Sequence, residues 1–303
     1  MTDAALEIVA PKPQTPFQRV VSDFCESKLA LFGFVLVVLS VFVALFAPFI
    51  SPQNPFDIAG LDLMESKLPP GTVSGDGKTT YWLGTDGQAR DMLSAIFYGM
   101  RISLFVGAVS VIAALVIGIV VGLVAAYAGG RIDALLMRTV DIMLSFPAIL
   151  VALILLSVLG KGIDKVLIAL ILVQWAYFAR AARSAALVER NKEYVEAATC
   201  LALPARRIVF RHMLPNCMPS LIVIATITLA RAIALEATLS FLGVGVPVTQ
   251  PSLGMLISNG FEFLMSGSYW ISFFPGFALA IAIIGINLAG DQLRDVLNPR
   301  NLR

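Results

Sequence analysis

The 303-residue sequence contains one histidine, three scattered cysteines and only 14% charged residues. A lone His and three unclustered Cys exclude most zinc frameworks and any disulfide scaffold. Its 22 Lys and Arg nearly balance 20 Asp and Glu, leaving a net charge of +2. No global basic field therefore points to nucleic acid. Nucleophile signatures are missing too. There is no G-x-S-x-G or H-E-x-x-H, and a Ser-His-Asp triad could rest only on His212, among Arg211, Met213 and Leu214. That neighbourhood suits a structural or interfacial histidine. The stretch GTVSGDGKTT from Gly71 imitates a phosphate-binding loop, with Lys78 in the right order. Five residues instead of four separate Gly71 from Gly77, however, no apolar strand precedes it and no helix signal follows. It reads as a flexible Gly and Ser turn. We expect no catalytic residue, no metal site and no cofactor in this chain.

What is abundant is apolar surface: 58% hydrophobic residues and a mean hydropathy of +0.86. Such a chain needs a low-dielectric solvent, and the bilayer supplies one. A hydrocarbon core of roughly 30 Å takes about 20 helical residues to cross. Six largely uncharged runs meet that length: Leu29 to Ile50, Ile102 to Tyr127, Ile142 to Leu159, Val166 to Ala182, Leu221 to Val246, and Trp270 to Ala289. The fifth carries Arg231 and Glu236 inside it. The expected class is an all-α integral membrane protein with six transmembrane helices. The first run is too long for a signal-peptide core and lacks a convincing small-residue cleavage site, so it reads as a retained helix.

Orientation follows from the distribution of Lys and Arg. With the N-terminus inside, the inner segments hold 15 of them and the outer segments 6. Both termini are thus expected on the cytoplasmic side of the membrane. The layout is an N-terminal segment 1–28 and a six-span domain 29–303, with a periplasmic loop 51–101 and a cytoplasmic loop 184–219.

The cytoplasmic loop is the most patterned part of the chain. Residues 193–216 read EYVEAATCLALPARRIVFRHMLPN. A first helix ends near Leu201, Pro204 suits the first turn of a second, and Pro215 and Pro219 are expected to close that second helix. Small Ala197 and Ala198 would admit a close protein surface, and Arg206, Arg207 and Arg211 could meet acidic groups or lipid headgroups. This run resembles the EAA loop of ATP-binding-cassette (ABC) importer permeases, the element that docks into an ATPase subunit. Glu196, Ala197 and Ala198 match its opening, and Leu214 and Pro215 its close. The family's glycine falls on Ala202, where a positive φ would strain an alanine.

Four further stretches narrow the resemblance to the second permease, the C-type subunit, of the dipeptide, oligopeptide and nickel branch. They are YWLGTDGQARDMLSAIFYGMRISL from Tyr81, MRTVDIMLSFPA from Met137, LEATLSFLGVGV from Leu235, and GDQLRDVLNPR from Gly290. The first has Ala89 for the usual glycine, and the last has Asn298 where Asp is common.

The resemblance implies a type I ABC importer permease fold and an ATP-driven importer of peptides or a related small solute. It implies as partners a homologous permease, two ATPase subunits carrying ATP and Mg, an extracytoplasmic substrate-binding protein and membrane lipid. Helices two to five would wall the pathway, and the loop around Glu196 would act as a lever for alternating access. An ion-gradient-driven secondary transporter is the alternative, and would require facing ionisable groups at mid-membrane. Arg231 and Glu236 are candidates either for the pathway or for packing against the partner permease.

Overall fold

A computed structural model describes residues 16–57, 61–77 and 79–297. Most of the expected N-terminal segment (1–15), Lys78 of the phosphate-loop mimic, and Asn298 to Arg300 of the final motif lie outside the described residues. The described residues are mostly helical, with one two-stranded hairpin. In order the helices are α1 (Pro16–Glu26), α2 (Lys28–Ile50), α3 (Met92–Ala128), α4 (Gly130–Ser145), α5 (Ala148–Leu159), α6 (Ile163–Arg190), α7 (Glu193–Cys200), α8 (Ala205–Arg207), α9 (Leu214–Phe241), α10 (Leu253–Phe261) and α11 (Trp270–Val296). A π-helical turn, Ile208–Met213, joins α8 to α9.

Among the described residues, five helical runs are long and apolar enough to cross a bilayer: α2, α3, α6, the continuous run Ala205–Phe241, and α11. The expected third span is different. It is a broken pair, α4 and α5, bent by 88°. The cause is local: Phe146 precedes Pro147 and is forced extended, with φ −97° and ψ 142°. The twelve residues of α5 rise only about 18 Å, too little to cross alone. The pair therefore supplies a sixth crossing only if it acts as one broken span.

Two other boundaries differ from expectation. Helix α3 begins at Met92, so the last ten residues of the expected loop 51–101 are helical. Asp91 caps it, accepting hydrogen bonds from the Ser94 amide (2.9 Å) and Oγ (2.6 Å). At 37 residues it is about 55 Å long, far more than a bilayer core, and must project from it. Pro215 and Pro219 do not end a helix. Pro215 falls in the first turn of α9, just after the wider π turn, which relieves its ring's clash with the preceding turn. Pro219 removes one N–H from the ladder without breaking it.

The backbones of α3 and α6 nearly touch. A Cβ added at Gly118 would lie 2.3 Å from Phe178 Cβ, and one at Gly122 would lie 2.5 Å from the Ala179 carbonyl oxygen. Small residues four apart are the usual means of such close approach between membrane helices. The outward faces of α2 and α3 carry exposed Phe32, Phe42, Phe105 and Ile112, as lipid contact requires.

Candidate functional site

At one end of the bundle, α6 runs on past its expected end at Ala182 to Arg190, because three side-chain ties hold the extra turns. Arg183 makes a two-pronged ion pair with Asp133 of α4. Arg190 Nη1 donates to the Ala126 carbonyl at 2.7 Å, satisfying one of the open carbonyls in the last turn of α3. Glu189 accepts from the Tyr194 hydroxyl (2.7 Å) and pairs with Lys192 (2.6 Å). The Tyr194 oxygen accepts in turn from Asn216 Nδ2 at 3.2 Å. The chain Glu189–Tyr194–Asn216 thus fastens α6, α7 and α9 together. Burial, and then the Glu189 hydrogen bond, push the Tyr194 phenol up to about 12.

Within this frame α7 presents Glu196 and Ala197 to solvent. Ala198 is turned inward, 5% exposed, and packs with Val195, Ile208, Val209 and Met213 against α3 and α6. It belongs to the chain's own core, so only Ala197 of the pair could meet a foreign surface. The turn after α7 has φ +52° at Ala202, so the alanine takes the left-handed conformation that strains an L-residue, although the sequence left open a different backbone there. Beyond it Arg206, Arg207 and Arg211 are exposed and line a shallow groove with Pro204, Phe210 and Pro215. Leu214 is half-buried beside them, and Leu201 is 75% exposed.

Midway along the bundle the two ionisable residues of α9 part company. Glu236 is fully buried; its carboxylate accepts from Ser103 Oγ on α3 and Ser240 Oγ, both at 2.8 Å. It ties α3 and α9 together from within the packed bundle. Arg231 is exposed and lines a cleft between α6 and α9 with Tyr177 and Thr228. The facing ionisable pair that a gradient-driven carrier would need is not formed by these two residues.

At the other end of the bundle, the described residues between α2 and α3 include a short hairpin on either side of the Gly and Ser turn. Thr72–Val73 and Thr80–Tyr81 pair antiparallel. Glu65 latches this hairpin, accepting from Ser74 Oγ (2.7 Å), the Gly75 amide (2.5 Å) and the Tyr81 hydroxyl (2.5 Å). Those bonds, Tyr81's foremost, hold the Glu65 carboxyl below its ordinary range. The stretch Leu83–Asp91 then folds into a knot around the buried ion pair of Asp86 and Arg90 (2.6 Å). Ala89 sits there at φ +61°. Gly84, at φ +79°, leaves no room for a Cβ, which would lie 2.6 Å from the Leu68 carbonyl oxygen and 2.9 Å from Trp270 Nε1. Trp270, opening α11, donates to the Thr85 carbonyl at 3.2 Å.

Residues 114–303 match the family described as binding-protein-dependent transport system inner membrane component, and residues 15–70 match the N-terminal transmembrane domain of oligopeptide transport permease C. The chain is 39% identical over 293 residues to the dipeptide transport system permease protein DppC of Escherichia coli K12, covering 97% of this chain and 96% of that one. It is 36% identical over 293 residues to the di/tripeptide transport system permease protein DppC of Pseudomonas aeruginosa UCBPP-PA14 (97% and 94% covered). Against the oligopeptide transport system permease protein OppC of Bacillus subtilis 168 it is 35% identical over 294 residues (97% and 93%). A chain of the MetNI methionine ABC transporter in an inward-facing crystal form superposes with a TM-score of 0.57 at 22% identity, covering 68% of this chain and 98% of that one. The shared fold is that of the type I ABC importer permeases.

Proposed function

The chain belongs to the family of binding-protein-dependent transport system inner membrane components, and on that premise we propose that it is the C-type permease of an ATP-driven importer of short peptides. The observation that carries the substrate class is near full-length similarity at 35–39% identity to permeases named for dipeptides, di/tripeptides and oligopeptides. A homologous permease completes the pathway, two ATPase subunits bind ATP and Mg, and a binding protein delivers cargo from the periplasm. The chain itself hydrolyses nothing. Its positive charge is concentrated where the ATPases would dock, at Arg206, Arg207 and Arg211 beside the exposed face of Glu196 and Ala197. We place that face, and both termini, in the cytoplasm, and the Glu65 hairpin in the periplasm where the binding protein arrives. Alternating access then couples ATP-driven closure of the ATPases to the bundle through α7, whose ties to α6 and α9 leave it little freedom to move alone.

The test is uptake of a labelled tripeptide by proteoliposomes carrying both permeases, the ATPases and the binding protein. Import that needs ATP and the separate ATPases supports the proposal. Import driven by an ion gradient in their absence would return the secondary-transporter alternative. For topology, Val73→Cys on the exposed hairpin strand should react with an impermeant thiol reagent added outside intact cells. Labelling only after permeabilisation would invert the assignment.

A further inference from the structure

Gln174 lies within α6, 5% exposed, and its Oε1 and Nε2 are both buried without a hydrogen-bond partner among the described residues. Buried amides are ordinarily satisfied, so this one calls for a group that presents both a donor and an acceptor. It shares a cleft with Tyr177, Thr228 and Arg231. Arg231 has no carboxylate partner among the described residues, whereas Arg180, further along the same groove, is already paired with Asp141 at 2.6 Å. Thr228 Oγ donates to the Ile224 carbonyl (2.7 Å), which leaves its oxygen able to accept. Gln174 and Tyr177 stand three apart on α6, and Thr228 and Arg231 three apart on α9, so each pair shares a helix face. The cleft therefore joins an unsatisfied amide to an unpaired guanidinium.

A bare anion would satisfy Arg231 and leave Gln174 wanting. A neutral apolar solute would satisfy neither. The C-terminal end of a peptide offers both: a carboxylate, and one residue away an N–H and a C=O. We propose that this cleft is a subsite for that end of the cargo, in which Arg231 holds the carboxylate and Gln174 exchanges hydrogen bonds with the last peptide unit. The inference rests on the peptide-importer reading and adds to it a site of contact on this subunit.

The experiment uses the complete reconstituted complex and two probes, trialanine and its C-terminal amide, at binding-protein concentrations that load both. Failure of the wild-type complex to import trialanine while its ATPases turn over removes the peptide reading, and the subsite with it. Where the wild type imports, Arg231→Gln and Gln174→Met should each slow trialanine import at least tenfold. The partner permease should still co-purify, and ATP hydrolysis should still be stimulated by the loaded binding protein. Arg231→Lys should recover part of the rate, and Arg231→Gln should slow the amide less than the acid. Unchanged trialanine import in both variants overturns the subsite, as does equal slowing of both probes by Arg231→Gln. Loss of the partner permease from both variants also overturns it, and assigns the two residues to the interface between permeases.

Discussion

Arg183 on α6 grips Asp133 on α4 with both prongs of its guanidinium, Nε to Oδ1 at 2.5 Å and Nη2 to Oδ2 at 2.6 Å. This ion pair holds the first turn of α4, the leading helix of the pair bent by 88°, to the bundle. Both side chains are partly exposed, 31% and 18%, so solvent screening trims the worth of this pair to about 1 kcal/mol. Asp133→Asn should lower the unfolding midpoint by a few degrees and speed amide exchange through α4, with the loss shrinking in high salt. Exchange of α4 unchanged in low salt would show the bridge to be idle.

Two alanines stand in left-handed backbone, Ala89 at φ +61° and Ala202 at φ +52°. Holding an L-residue there costs about 1–2 kcal/mol, and glycine relieves it at the expense of extra freedom in the unfolded chain. Exposed Ala202 loses no packing on becoming glycine, so Ala202→Gly should stabilise by about 0.5 kcal/mol. Ala89 is 1% exposed and forfeits a buried methyl worth about 0.8 kcal/mol, so Ala89→Gly should be nearly neutral. Thermal unfolding in detergent compares the two directly.

The neighbours Ala197 and Ala198 should respond oppositely to the same substitution. Ala197→Arg adds bulk on an exposed face, and should leave the permease folded while cutting ATPase association or coupled transport at least tenfold. Ala198→Arg drives a charge into a core shared with α3 and α6, and should reduce the amount of folded protein itself. Size-exclusion profiles with and without the ATPases separate these outcomes.

Acid should open the Glu65 latch late. Its carboxyl is held below the ordinary range, so its stabilising contribution is full above the unfolded value of 4.5 and fades as pH falls through the lower folded value. Fluorescence of Trp82, 67% exposed beside the hairpin, should stay flat down to the ordinary carboxylate range and shift only below it. In Glu65→Gln the acid shift should vanish.

The spans were legible because a bilayer imposes a length, and runs such as Leu29 to Ile50 carry that length without a charge. The glycine of the pattern at Ala202 raised the question of a positive φ there without deciding it, since an alanine could equally mark a different turn. The 88° bend was also written locally, in Phe146–Pro147, but an apolar window passes over it. Ala198 could have been read as buried, since Val195 and Ala198 stand three apart on one face of a short helix. What could not be read were partnerships between distant residues: Asp133 with Arg183, 50 apart; Ser103 with Glu236, 133 apart; Ala126 with Arg190, 64 apart. Each depends on which helices lie side by side, and composition is silent on that. Gln174 escaped notice because one amide in an apolar run has no signature until its partners prove missing.

The bond from Trp270 to Thr85 spans 185 residues of chain. A ribosome making about 5–20 residues per second needs roughly 10 to 40 s between delivering the two. Throughout that interval the knot around Asp86 and Arg90 lacks the indole that seals it. Closure of this segment therefore timestamps insertion of the last helix. Proteolytic clipping between Leu63 and Asp91 in pulse-labelled cells should fall abruptly once α11 is in the membrane, and a chain truncated before Trp270 should remain a substrate for clipping indefinitely.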